Sequence, residues 1–191
     1  MANPGDERAR SLLDRYLVEL ARWGARQNLV GSLEREALEL HVRDSLAAAP
    51  LLAERSSVVD LGSGAGFPGL PVAIARPDLQ VTLLEIREKR VHFLRHVVRE
   101  LGLTCSVVRG RIESPPDTPF DYALARAVAA PAELIPRAKP WVGDTGEIWI
   151  WGRARAADLA VAGASEIALE EGRGWIVRTP GHAVSESTRL T

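Results

Sequence analysis

The stretch from Ser56 to Gly69, SSVVDLGSGAGFPG, places an apolar run, an acid and four glycines within fourteen residues, and few architectures accommodate that order. Val58, Val59 and Leu61 form a short buried strand, with Asp60 near its carboxyl end. Gly62, Gly64 and Gly66 follow at alternate positions, where positive φ and a close approach of backbone to ligand need residues without a Cβ. Pro68 then suits the opening of a helix, because the N–H it lacks would have no helical partner there. A strand that turns through glycines into a helix is where an open α/β sheet receives a ligand, beyond the carboxyl ends of its strands.

Two ligand classes compete for such a turn. Gly64-Ala65-Gly66-Phe67-Pro68-Gly69 satisfies the dinucleotide pattern G-x-G-x-x-G, which is weak evidence alone. A dinucleotide must seat a doubly charged pyrophosphate at the helix N-terminus, and an acid at the mouth of the turn opposes it. S-adenosylmethionine has no phosphate and carries an ammonium and a sulfonium, so Asp60 and a glycine floor suit it better. Glu85 closes a second apolar run, Val81 to Glu85, where a carboxylate can accept from both ribose hydroxyls. Either adenosyl ligand needs that acid, so Glu85 does not discriminate. With no ligand in play, Asp60 reads as a helix-capping acid and Glu85 as a surface strand end.

The 191 residues, 46% of them hydrophobic, suffice for one globular unit, expected as a helical extension over residues 1–55 and a ligand-binding domain over 56–191. Cys105 is the only cysteine, which excludes an intrachain disulfide and a cysteine-based metal site and points to a reducing compartment. The four histidines have no close carboxylate partners in sequence, so no metal is expected. MANPGDERAR is polar and no later run is long and apolar enough for a membrane span, so a soluble cytoplasmic protein is expected. A net charge of −1 argues against holding nucleic acid by bulk electrostatics. Lys89 and Lys139 are the only lysines; arginine carries the remaining positive charge, as phosphate recognition or a GC-rich genome would each produce.

Hydrophobic spacing predicts a helix through Leu12, Leu13, Tyr16, Leu17, Leu20 and Trp23, and a second from about Leu33 to Leu46. Strands and helices then alternate: strand 58–61, helix 68–75, strand 81–85, helix 89–101, strands 106–109 and 122–126, a short helix 132–138, and strand 147–151. A helix near 154–159, strands near Ile167 and over 175–178, and a polar, partly disordered end from Thr179 complete the reading. This order predicts an α/β fold with a doubly wound, mostly parallel sheet. Lys89, His92, His96 and Arg99 form one polar stripe, expected to be a solvated helix face.

NLVGS (Asn28 to Ser32), HVRDSL (His41 to Leu46), VVDLGSGAGFPGLPVAI (Val58 to Ile74), VTLLEIREKRVHFLRHV (Val81 to Val97), GRIES (Gly110 to Ser114) and FDYALARAVA (Phe120 to Ala129) together resemble the RsmG (GidB) family. These are bacterial methyltransferases of guanine N7 in 16S ribosomal RNA, and the resemblance covers Tyr16 to about Gly152. It implies a Rossmann-like class I fold with S-adenosylmethionine as cofactor, and 16S rRNA or the small ribosomal subunit as partner of a monomer. It also implies that Gly62 and Phe67 line the cofactor beside Asp60 and Gly64, that Glu85 binds the ribose and that Ile112 and Glu113 flank the adenine. Arg126 is implied at the active site, touching cofactor and substrate. His41, Asp44 and Ser45 are candidates to cap the pocket, or to form a network within the helical pair.

Two departures touch the substrate side, and a third concerns the carboxyl end. Trp151 stands where the family usually has lysine, with Arg153 as the nearest cation; Trp23-Gly24 replaces a common Trp-Asn; and the carboxyl end lacks a convincing final strand. Trp141, Trp149 and Trp151 all read first as core aromatics. Guanine N7 already presents a lone pair, so its methylation needs no general base and draws on alignment, worth up to about 7–11 kcal/mol. N7 lies in the deep major groove of an A-form helix, so the target base must sit in a loop or be splayed out. A methyltransferase of a protein or small molecule, or a cofactor-binding protein without rRNA activity, would share the cofactor site.

Overall fold

The computed structural model describes residues 4–159 and 161–182. Five strands, β1 (Ser57–Leu61), β2 (Gln80–Glu85), β3 (Ser106–Arg109), β4 (Tyr122–Arg126) and β5 (Glu147–Gly152), run parallel. β6 (Ser165–Ala168) and β7 (Trp175–Pro180) extend the sheet in the order β3-β2-β1-β4-β5-β7-β6, with β7 antiparallel to both neighbours. The order reverses between β1 and β4, which opens a crevice at their carboxyl ends.

Strand alternation divides the core. Val58, Leu83, Leu124 and Trp149 face α1 (Pro4–Gly24), α2 (Arg35–Leu46), α3 (Gly69–Ala75) and α4 (Glu88–Leu101), and share a cluster with Tyr16, Leu20, Leu38, Leu70 and Phe93. Val59, Leu61, Ala123, Ala125, Ile148 and Ile150 face α5 (Pro131–Val142) through Leu134, Ile135 and Trp141. The two N-terminal helices therefore pack into the same core as β1 and α3 and overhang the crevice.

Several elements differ from expectation for identifiable reasons. The fifth helix runs through Pro136 and Pro140, which punctuate the pattern in sequence, because Ala138, Trp141 and Val142 bury one face of it. Between 154 and 159 only a single 3-10 turn forms, Ala156–Asp158, and Arg155 is drawn instead to Glu166. A final strand does exist: Thr179 and Pro180 close β7, where Ile176 and Val177 are buried, so the polar end begins later than expected, and residues 183–191 lie outside the described residues. Gly24 is also accounted for, since a Cβ there would lie 2.4 Å from Leu33 Cδ2. His96 is not on a solvated face; its Nε2 lies 2.7 Å from Glu19 Oε2 and its ring 5.0 Å from Trp23, which docks α4 on α1. Only His92 of the pair is exposed.

Candidate active site

The glycine turn after β1 is held from three sides. Tyr16, fully buried on α1, donates its hydroxyl to Ala65 O at 2.8 Å and meets the Phe67 ring edge-on. Glu85 Oε2 accepts from Gly64 N–H at 2.9 Å, and Oε1 accepts from Arg87 N–H at 2.8 Å. Asp60 Oδ2 accepts from Gly69 N–H at 3.1 Å. Gly62 and Gly64 take φ of +73° and +57°, and a Cβ on Gly62 would press on Val128 at 2.9 Å, so the floor of the turn is bare backbone.

Two cavities meet at Gly62. One, of about 370 Å³, is lined by Gly62, Gly64, Phe67, His41, Arg126 and Ala127 among others. The other, of about 230 Å³, lies between Ile112, Glu113 and Arg137 on one side and Gly62 and Val128 on the other. The structure thus brings Gly62, Gly64, Phe67 and Arg126 together, and sets Ile112 and Glu113 across the glycine floor from them. Glu113 is exposed and ion-paired with Arg137, while the Ile112 carbonyl accepts from Trp141 Nε1 at 2.7 Å.

Neither strand-end acid lines either cavity. Alternation along β1 points Asp60 to the α1/α3 side of the sheet, where it is fully buried and caps the first turn of α3, the plainer of its two sequence readings. Its Oδ1 has no hydrogen-bond partner among the described residues. Glu85 is buried as well, not a surface strand end; its two oxygens hold the loop by accepting from Gly64 and Arg87 N–H.

Burial pushes the Asp60 carboxyl up to about 7, and the Glu85 charge adds to the rise against the pull of Ser63 and the Gly69 N–H. The folded value lies above the roughly 4 of an unfolded chain, so this group supports folding fully below about pH 4 and loses that support as pH rises through about 7. Asp60→Asn keeps an acceptor for Gly69 but cannot ionise. Its stability relative to wild type is therefore expected to improve by about 2 kcal/mol between pH 5 and pH 8 in urea unfolding. An unchanged difference at the two pH values would place the carboxylate in a polar environment.

Opposite the glycine floor, Arg126 ends β4 and is enclosed by α2. Its Nη2 donates to His41 Nδ1 at 2.7 Å, Nη1 reaches His41 O at 3.4 Å, and Asp44 Oδ2 lies 3.5 Å away. Burial, followed by the Arg126 charge, holds His41 below the usual imidazole range, which suits a neutral ring accepting at Nδ1. Asp44 Oδ1 accepts from Arg173 Nη2 at 2.8 Å and Nε at 3.1 Å. Ser45 turns away, its hydroxyl donating to His41 O at 2.7 Å. Immediately after Arg126, Ala127 lines the cavity with φ of +54°, a strained conformation for a residue with a Cβ.

Trp151 and its two companions are core residues, as read: Trp149, Trp141 and Trp151 are all buried, and Trp151 Nε1 donates to Asp44 O at 2.8 Å. Arg153 lines neither cavity; the second cation at Asp44, beside Arg126, is Arg173, in the turn before β7, which no local pattern marks. No group of three or more histidine, cysteine or acidic side chains able to hold a metal occurs among the described residues. No helix among them is long and apolar enough to cross a membrane.

The family model described as GidB, rRNA small subunit methyltransferase G, matches residues 9–176. The ribosomal RNA small subunit methyltransferase G of Leifsonia xyli subsp. xyli is 40% identical over 180 residues, covering 92% of this chain and 85% of that protein. The protein of the same name from Chromobacterium violaceum is 42% identical over 139 residues, covering 71% of this chain. The match spans 66% of that relative's own length, just under two thirds. Among solved structures, MtNAS in complex with MTA and tNA superimposes with a TM-score of 0.63 at 14% identity, covering 89% of this chain and 70% of that one. Coclaurine N-methyltransferase bound to N-methylheliamine and SAH gives 0.54 at 16% identity, covering 78% and 52%. At such identities the likeness speaks for the fold: a class I methyltransferase sheet.

Proposed function

Since the chain belongs to the GidB family of rRNA small subunit methyltransferase G proteins, we propose that it transfers a methyl group from S-adenosylmethionine to N7 of a guanine in 16S ribosomal RNA. One observation carries the reading: two cavities that share the side-chain-free glycine floor at Gly62, with Ile112 and Glu113 lining one and Arg126, held by His41, lining the other. The bare backbone of Gly62 and Gly64 fits a flat nucleoside laid across it. Adenine would rest against Ile112 and Glu113, and the ribose near the Gly64 turn that Glu85 holds from beneath, its carboxylate reaching the hydroxyls only where the turn opens. The methionine end and its methyl would lie beside Phe67 and Arg126. Asp60 acts beneath the ligand, fixing the Gly69 end of the turn.

When bound, the cofactor supplies an electrophilic methyl on a cationic sulfur. The chain's own residues align and enclose. Arg126 is already oriented by His41 and Asp44, so it can hold a phosphate or stack on the guanine without reorganising. Neutral His41 keeps Arg126 in place and takes no proton, which N7 attack does not require. Phe67 and the overhanging α2 shield the reacting centre from water. In this reading the chain acts as a monomer, in the cytoplasm where ribosomes are assembled. Residues 1–55 serve as the helical extension over the site and 56–191 as the binding domain.

The decisive measurement is mass spectrometry of 16S RNA from a strain lacking this gene. Loss of one 7-methylguanosine, restored on complementation, is the expected result. Unchanged 16S methylation, with labelled methyl entering proteins or metabolites instead, would overturn the substrate.

A further inference from the structure

A third cavity, of about 720 Å³, lies between the loop after α1 and the first turn of α4, and Arg26, Arg87, Lys89, Arg90 and His92 line it together with Glu88. It shares Leu29 and Arg90 with the His41/Arg126 cavity, so it borders the site, on a flank different from the Ile112 cavity, which adjoins at Gly62. Arg26, Arg87 and Lys89 are exposed, and none has an acid within ion-pair distance among the described residues. Elsewhere many arginines are neutralised, as Arg35 is by Glu39, Arg76 by Asp78 and Arg178 by Glu147. Within the trough, Glu88 is taken up by Arg109 at 3.1 Å and faces His92 at 3.7 Å, while the buried Glu85 lies under Arg90 at 3.9 Å.

We infer that this trough seats the backbone phosphates flanking the target base, so that the RNA strand enters the active site from the Arg26/Lys89 side. The inference rests on the methyltransferase reading and adds the strand's path. A cavity of about 370 Å³ has room for a base and the reacting end of the cofactor, not for neighbouring nucleotides, so their phosphates must run along its rim. Three exposed cations without an acid partner among the described residues, Arg26, Arg87 and Lys89, stand together on that rim in a chain whose net charge is −1. Gln27 and Asn28 supply neutral donors and acceptors between them for sugars and base edges. Phosphate contacts of this kind position a strand without reading its sequence.

The test uses the full chain saturated with S-adenosylhomocysteine and a fluorescein-labelled single-stranded RNA of about a dozen nucleotides. The combined variant Arg26→Ala, Arg87→Ala and Lys89→Ala is expected to bind at least about tenfold more weakly near 0.1 M salt, with a log–log salt slope flattened by about 2, from roughly 0.7 per phosphate lost. Its affinity for S-adenosylhomocysteine should match wild type, which separates the effect from misfolding. A charge-matched control, Arg8→Ala, Arg10→Ala and Arg55→Ala, should keep the wild-type slope. An unchanged slope in the trough variant, or an equal loss in the control, overturns the trough while 16S methylation by wild type leaves the methyltransferase reading intact. If the trough variant instead loses affinity for polyglutamate and keeps its RNA slope, the occupant is an acidic peptide and the inference is wrong. Should wild type neither bind RNA nor methylate 16S RNA, the underlying reading fails.

Discussion

Replacing Arg126 by alanine is expected to lower methyl transfer to 16S RNA by roughly a hundred- to a thousand-fold, the usual scale for a preorganised polar group at a reacting centre. Affinity for S-adenosylhomocysteine should stay within about threefold, because interactions made with substrate in the transition state add little to cofactor binding. The expectation follows from how the side chain is held. His41 Nδ1, His41 O and Asp44 hold the guanidinium, and the side chain lines the cavity. Arg126→Lys keeps the charge but loses the planar fork that can meet both His41 and substrate, so it should recover little of the activity. Single-turnover methylation and calorimetry on the same preparation separate the two effects. Equal losses in transfer and cofactor affinity would make Arg126 a cofactor ligand with no role toward the base.

The second large effect is expected at Asp44. Its carboxylate is 6% exposed and stands between Arg126 and Arg173, which come from β4 and from the turn before β7. Asp44→Ala removes the only anion among the described residues that pairs with Arg126, and leaves two guanidiniums facing the gap. Breaking a buried pair in this way costs about 3 kcal/mol, because the surviving charge stays desolvated. In a chain of this size that corresponds to a fall in Tm of roughly 6–12 °C. Asp44→Asn still accepts from Arg173 and should lose less. Calorimetric melting checks both; a shift under about 2 °C for Asp44→Ala would mean that water compensates both arginines. A double variant that also removes Arg173 should be less destabilised than the two single losses combined, since the pair acts as a unit.

The positions of the site were legible where local chemistry decides them. Gly62, Gly64 and Phe67 line the cavity because a buried strand end, residues free to take positive φ and a helix start follow one another directly in the chain. Arg126 could be placed because it ends a strand next to the reversal of sheet order. Asp60 shows the limit: its distance from the strand end suggested a ligand contact, but the period of two along β1 turns it under α3. The overhang of α2 was only partly legible, since His41, Asp44 and Ser45 fit a capping network or a pocket wall equally well until the two helices met. Ala127 carries no sequence signal for its positive φ, and Arg173 none for its role.

What the chain's sequence determined alone is therefore the alternating fold, the bare glycine floor and the adenosyl class of ligand, because each rests on interactions between residues close in sequence. The tertiary structure decided which charges pair. Asp44, Arg126 and Arg173 lie far apart along the chain, and so do Arg26 and Lys89; an ion pair or an open basic rim depends on distances of a few ångströms between elements that meet only after the sheet has closed its order.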